Sequence, residues 1–223
     1  MKRYIYKQLL AWKNEKEHKP LILNGARQVG KTYILREFGR NEYKRMAFFS
    51  LDRDQKALEI FNKGGRATDM LMALSAICHE DITPHDTLVV LDEIQNCPKA
   101  LEALKFFCEE TPEIDIVVAG SLLGLSIHSG VSYPVGKVEE LHLYPMTFLE
   151  FLEAMGKTQL VNLLENKNWT VINMLETELI SSLRQYYYVG GMPAAVLAHI
   201  EKKGWKEVRR IQQQIITDYR RDF

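Results

Sequence analysis

The stretch that most constrains this chain is Leu21-Ile22-Leu23-Asn24-Gly25-Ala26-Arg27-Gln28-Val29-Gly30-Lys31-Thr32. It reads as a short apolar strand, a loop bounded by two glycines, and the start of a helix. The loop fits G-x-x-x-x-G-K-[ST], the pattern of a phosphate-cradling loop. Gly25 and Gly30 let the backbone turn tightly and approach a ligand where a Cβ would clash. The N–H groups of Ala26, Arg27, Gln28 and Val29 then line an anion nest at the positive end of the following helix. Lys31 places a point charge on the β- and γ-phosphates, and the Thr32 hydroxyl is a ligand for Mg²⁺. A plain strand-turn-helix with a surface lysine has the same spacing. The context separates the two readings: a buried-strand run precedes the loop, and Tyr33-Ile34-Leu35-Arg36-Glu37-Phe38 carries a helical apolar pattern after it. Tyr33 is therefore included among the nucleotide-contacting residues.

Further strands follow. Met46 to Leu51 is apolar and aromatic, and Thr87-Leu88-Val89-Val90-Leu91 suits a central parallel strand buried on both faces. Ile114 to Ala119 is another strand, ending at Gly120-Ser121, and Val138 to Tyr144 is a partly exposed one. Helices are expected over Arg3 to Glu15, Arg53 to Phe61, Ala67 to Cys78, and from Pro98 onward. The first of these is expected to cover a sheet edge, with its lysines outside. Gly124 to Gly136 reads as a loop. Strands alternating with helices imply a parallel α/β sheet. From Pro145 the pattern becomes helical only: Thr147 to Met155, Thr158 to Asn166, Val171 to about Tyr187, Pro193 to Lys202, and Trp205 to about Tyr219. The softest boundary is near Gly156, giving a core over 1–156 and a helical part over 157–223.

Asp92-Glu93 closes the most apolar strand, at the edge where α/β sheets bind ligands. Beside a phosphate loop, Asp92 is the second Mg²⁺ holder, through water, and Glu93 the base that polarises an attacking water. Ser121, at the end of the next strand, contacts the γ-phosphate or that water; the plainer reading is a helix N-cap before Leu122.

Charge and composition exclude some classes. Lys+Arg and Asp+Glu are both 29, so there is no bulk electrostatic case for nucleic-acid or membrane binding. Basic residues outnumber acidic ones from Glu201 to Phe223, which reads more simply as a solvated helix face than as a nucleic-acid site. Three scattered cysteines, Cys78, Cys97 and Cys108, fit a reducing cytosol, and Cys78-His79 lacks further ligands at zinc spacing. No apolar run reaches membrane-span length and no signal peptide opens the chain, so a cytoplasmic location is expected.

Taken in order, the loop, Leu91-Asp92-Glu93-Ile94-Gln95, Ala119-Gly120-Ser121, Leu143 to Phe151, Tyr188-Val189-Gly190-Gly191-Met192-Pro193 and Asp218 to Phe223 resemble a group of bacterial and archaeal AAA-type (AAA+) P-loop ATPases of unassigned role. The resemblance spans nearly the whole chain. It implies a three-layer sandwich with an extra strand between the two Walker motifs, followed by a small all-helical lid. It implies ATP and Mg²⁺ as cofactors and slow ATP hydrolysis driving an attached or partner domain. ATP, ADP, and either a second copy or a partner protein are the implied partners.

Gly191-Met192-Pro193 is similar to the G-x-P of signal-transduction ATPases, which would set Pro193 near the adenine; a helix start accounts for it equally well. Members of the group continue into a C-terminal domain, and the resemblance implies that this sequence lacks most of it. Where an arginine from a neighbouring subunit is expected, Gly136-Lys137 stands, leaving Arg184, Arg220 or Arg221 as alternatives. A non-hydrolysing binding module stays open, and a small-molecule kinase less so, because no arginine-rich lid follows the core.

Overall fold

The computed structural model describes residues 1–121 and 133–221. Most of the stretch read as a loop from Gly124, and the Leu122 side of the Ser121 cap reading, lie outside them. Two compact units are distinguished: Ile5–Ala26 with Gly30–Leu143, and Met1–Tyr4 with Arg27–Val29 and Tyr144–Phe223.

The first unit is the α/β layer structure. Its elements are α1 (Ile5–Asn14), β1 (Leu21–Asn24), α2 (Lys31–Glu42), β2 (Arg45–Ser50), α3 (Gln55–Lys63), α4 (Ala67–Cys78), β3 (Thr87–Asp92), a 3₁₀ turn at Ile94–Asn96, α5 (Pro98–Glu110), β4 (Asp115–Gly120) and β5 (Glu139–His142). The strands are all parallel, in the order β2-β3-β4-β1-β5. β4 therefore lies between the loop strand and the acid-bearing strand, as the resemblance implied.

Strand alternation gives the sheet two apolar faces. Ile22, Phe49, Val89, Leu91, Ile116 and Val118 pack with Phe61, Leu74, Leu104 and Phe107 from α3, α4 and α5. The alternate residues Leu21, Leu23, Leu88, Val90, Val117 and Ala119 are equally buried on the other side, where α2 packs along β2 and β3. β3 and β4 are buried at every position, which is why they read as continuous apolar runs. β5 is an edge strand whose residues alternate in exposure, and α1 packs against it and α2. The helix is shorter than the expected Arg3–Glu15 because it begins only at Ile5; Ile5, Leu9 and Trp12 are its buried face.

The second unit is helical: α6 (Phe148–Ala154), α7 (Thr158–Glu165), α8 (Trp169–Met174), α9 (Glu176–Val189), α10 (Pro193–Ile200) and α11 (Trp205–Arg220). The single helix expected over 171–187 is two helices. Asn168 caps α8 by accepting from Val171 N at 3.3 Å, and Leu175, at φ −106° and ψ 15°, separates it from α9. One non-helical residue barely disturbs the apolar spacing, so periodicity does not register the break.

Thr147 and Glu150 close a reciprocal capping box on α6, with Glu150 N donating to Thr147 Oγ1 at 3.2 Å and Thr147 N to Glu150 Oε2 at 2.8 Å. The other Glu150 oxygen accepts from Arg3 Nε at 3.1 Å and Tyr4 N at 2.7 Å. Arg3 is thus a buried ion-pair partner, and not a surface charge. Among the described residues no helix is long and apolar enough to cross a membrane.

Candidate nucleotide site

Parallel strands present their C-terminal ends on one edge, so β1, β3 and β4 deliver Gly25, Asp92 and Ser121 to the same side of the sheet. Asn24 pairs with Gly120 and Leu91 with Val118, which sets these ends at nearly equal height. β1 then turns through the loop into α2. Gly30 stands at the N-cap of α2 with φ 102° and ψ 22°, a left-handed conformation that favours glycine. Ile34 N finds the Gly30 carbonyl at 3.0 Å, so the N–H groups of the first helical turn have no acceptor within the helix.

Lys31 is buried, although a lysine is normally a surface residue. Its Nζ donates to Gly25 O at 2.7 Å and Ala26 O at 2.9 Å, which ties the ammonium to the start of the loop. The next residue, Thr32, donates its Oγ1 proton to Asp92 Oδ2 at 2.6 Å, and the other Asp92 oxygen accepts from Glu93 N at 3.1 Å. Asp92 is buried, and these two bonds keep its carboxylate satisfied.

Glu93 adopts φ 55° and ψ 45°, a left-handed conformation that is uncommon for a residue with a side chain. Gln95 Nε2 donates to Glu93 Oε2. Ser121 follows β4 directly and is half-buried. The structure therefore joins Thr32 to Asp92 by a hydrogen bond, ties Lys31 to two carbonyls of the loop, and sets Glu93 and Ser121 on the same strand edge. Tyr33, on α2, is largely exposed.

The remaining expected residues belong to the helical unit. Arg27, Gln28 and Val29 are held there: Arg3 Nη1 donates to Val29 O at 3.0 Å, Gln28 Nε2 to Asp218 Oδ2 at 2.9 Å, and Tyr219 Oη to Arg27 O at 2.6 Å. Pro193 is the first residue of α10 and half-buried. The glycine before it has a packing role. A Cβ on Gly191 would lie 2.3 Å from Met146 O and 2.9 Å from Met146 N, and Met146 N donates to Gly191 O at 2.7 Å. The Pro145-Met146 and Gly191-Met192-Pro193 motifs are thus two sides of one backbone contact.

Three residues that matter here carried no assigned role in the sequence. Gln95 engages Glu93, and its signal is only a polar side chain two residues on. Asn24 Nδ2 donates to Glu140 Oε2 at 3.0 Å, and its buried Oδ1 has no partner among the described residues. Tyr133 Oη donates to the second Glu140 oxygen, and its burial together with that carboxylate raises the phenol pKa. Lys137, at the position where an arginine is expected, pairs with Glu109 at 2.9 Å, which raises the lysine pKa and lowers that of the glutamate.

Solved structures show the same fold. A Walker-type ATPase of Pyrococcus abyssi superposes with a TM-score of 0.59 at 16% identity, covering 99% of this chain and 75% of its own. Drosophila ORC, in a structure bound to DNA, superposes at 0.51 and 15% identity, covering 94% of this chain and 65% of its own. No curated protein sequence matches the chain. The profile described as AAA domain matches residues 17–152, well over half the chain, and takes in the loop, the Asp92-Glu93 strand and Ser121. On that match the chain belongs to the AAA domain family, the nucleotide-binding P-loop proteins of AAA+ type.

Proposed function

We propose that the chain binds ATP with Mg²⁺ and hydrolyses it slowly to ADP and phosphate, as a switch or motor for an attached or partner domain. The observation that carries this reading is the Thr32–Asp92 hydrogen bond beside the Lys31 ammonium. It puts a hydroxyl and a carboxylate, both hard oxygen donors, one residue from a charge aimed at the phosphate nest.

In this reading Gly25 to Thr32 cradle the phosphates, Lys31 neutralises the β- and γ-oxygens, and Thr32 and Asp92 hold the cation, Asp92 through water. Among the described residues no three His, Cys, Asp or Glu side chains converge, so Thr32 and Asp92 are the protein groups that would hold the cation. When bound, Mg²⁺ would withdraw charge from the γ-phosphate. Glu93 takes the proton of the attacking water, and Ser121 hydrogen-bonds the γ-phosphate or that water. Tyr33, directly after the loop, is a further nucleotide-contacting residue.

A second reading, a nucleotide-dependent binding module without turnover, is favoured by the Lys137–Glu109 pair, which engages the cation at the position where a transition-state charge is expected. An arginine finger is worth about 10³–10⁵ in rate.

Nucleotide titration and steady-state Mg·ATP hydrolysis over a wide range of protein concentration test both. Binding that Lys31→Ala weakens by about 1.5–3 kcal/mol supports the site; wild-type affinity in that variant refutes it. Specific activity that rises with concentration shows a site completed between subunits. Binding with no turnover at any concentration supports the module.

A further inference from the structure

The Asp218-Tyr219 motif near the end of α11 is singled out by the sequence and left without a task by the reading above. We infer that Asp218 and Tyr219 are positioning residues for the phosphate loop; this rests on the nucleotide-binding reading.

The loop tip, Ala26 to Gln28, is exposed, so apolar packing does little to hold it. Hydrogen bonds do. Tyr219 Oη donates to Arg27 O at 2.6 Å, and Arg3 Nη1 donates to Val29 O at 3.0 Å. Two carbonyls of the loop are thus engaged by side chains of the helical unit. A phosphate nest needs its carbonyls turned away from the anion so that its N–H groups face it.

Between them, Gln28 has φ 61°, a left-handed backbone that a glutamine rarely adopts and that its surroundings must maintain. Its side chain supplies the tether, with Nε2 donating to Asp218 Oδ2 at 2.9 Å. The Asp218 carboxylate is in turn oriented by Gln214 Nε2, which donates to Oδ1 at 2.8 Å from one helical turn earlier. Two adjacent residues of α11 therefore hold two adjacent residues of the loop, one by its carbonyl and one by its side chain. By linkage, a nucleotide that orders the loop strengthens the hold of α11 on it by the same factor.

The test is a titration of the full chain with a fluorescent ATP analogue (mant-ATP) and Mg²⁺, with a thermal melt of each variant. Tyr219→Phe removes one hydroxyl, and Asp218→Leu removes the acceptor for Gln28. Each is expected to weaken binding about threefold to tenfold with an unchanged melting temperature. Asp218→Asn keeps an acceptor oxygen and is expected to bind as the wild type does. In a Gln28→Ala background the Asp218→Leu effect is expected to vanish, because its partner is gone.

Unchanged affinity in Tyr219→Phe and Asp218→Leu, with Lys31→Ala impaired, overturns the positioning role and leaves the nucleotide site standing. Additive effects of Gln28→Ala and Asp218→Leu overturn the tether. Wild-type affinity in Lys31→Ala overturns the underlying site itself. Should Asp218→Leu fail to fold, Tyr219→Phe decides alone.

Discussion

Thr32 Oγ1 donates to Asp92 Oδ2 at 2.6 Å, tying the first turn of α2 to the end of β3. Removing the hydroxyl leaves a buried carboxylate with one partner fewer. Thr32→Ala is expected to lower the stability of the nucleotide-free chain by about 1.5–3 kcal/mol, the scale of a hydrogen bond to a charged group. It is also expected to abolish the gain in ATP affinity that Mg²⁺ brings. Urea melts and paired titrations with Mg²⁺ or EDTA measure the two effects. A variant that keeps its full Mg²⁺ dependence rules out Thr32 as a cation ligand.

Glu93 is held in a left-handed backbone with Gln95 on its carboxylate. Glu93→Gln preserves shape and removes the basic oxygen. ATP affinity is expected to stay within about twofold, and single-turnover hydrolysis to fall by about 10²–10⁴. Hydrolysis at the wild-type rate assigns the base elsewhere.

Gly190 and Gly191 are adjacent for different reasons, and substitution separates them. Gly190, at φ 74° and ψ 179°, occupies a region essentially reserved for glycine, with open space around its Cβ position, so Gly190→Ala costs conformational strain alone, about 1–3 kcal/mol. At Gly191 the added methyl meets the Met146 backbone at 2.3 Å. A backbone that is itself hydrogen-bonded yields poorly, so Gly191→Ala is expected to cost about 3 kcal/mol, the upper end of overpacking. Denaturant midpoints of the two variants give the comparison, and a larger loss in Gly190→Ala than in Gly191→Ala would contradict it.

His18 makes stability depend on pH. Its Nε2 lies 2.6 Å from Asp115 Oδ1, its Nδ1 lies 2.8 Å from Glu15 O, and its ring meets Trp12 edge-on at 4.6 Å. Both side chains of the ion pair are buried. The hydrogen bond to Asp115 raises the imidazole pKa above its ordinary 6.5, against the opposing pull of burial. A group whose pKa is raised on folding stabilises most below its unfolded value, and the contribution fades as pH climbs through the folded value. Stability from this pair is therefore full below pH ~6.5 and declines above it. His18→Phe is expected to cost about 3–5 kcal/mol at pH 5.5, where it strands a buried carboxylate, and less at pH 8.5. Chemical denaturation at the two pH values reads the difference, and an equal cost at both would show that protonation is not involved.

Much of the fold is legible in the residues. Leu88-Val89-Val90-Leu91 is apolar throughout because both faces of β3 are covered, and the Ala67–Cys78 helix has the bounds its periodicity predicts. Arg3 is where such reading fails. A basic residue beside an N-terminus reads as solvent-facing, and the partner that buries it, Glu150, stands 147 positions away. The division of 171–187 at Leu175 is missed because a single-residue interruption preserves the apolar stripe. Gln95 was visible only as a polar residue after two acids.

The sequence by itself determined the loop, the strand that feeds it, the acid-tipped strand and the change to helices after Pro145. Each rests on short-range physics: glycine's backbone freedom, the periods of strand and helix, and the burial of apolar runs. Only the tertiary structure decided which distant groups meet. Thr32 reaches Asp92, His18 reaches Asp115, Met146 fits against Gly191, and Tyr219 reaches Arg27. These pairings follow from strand order and helix packing, which add up over the whole chain. A local pattern specifies the face a residue presents and leaves its partner to the assembled fold.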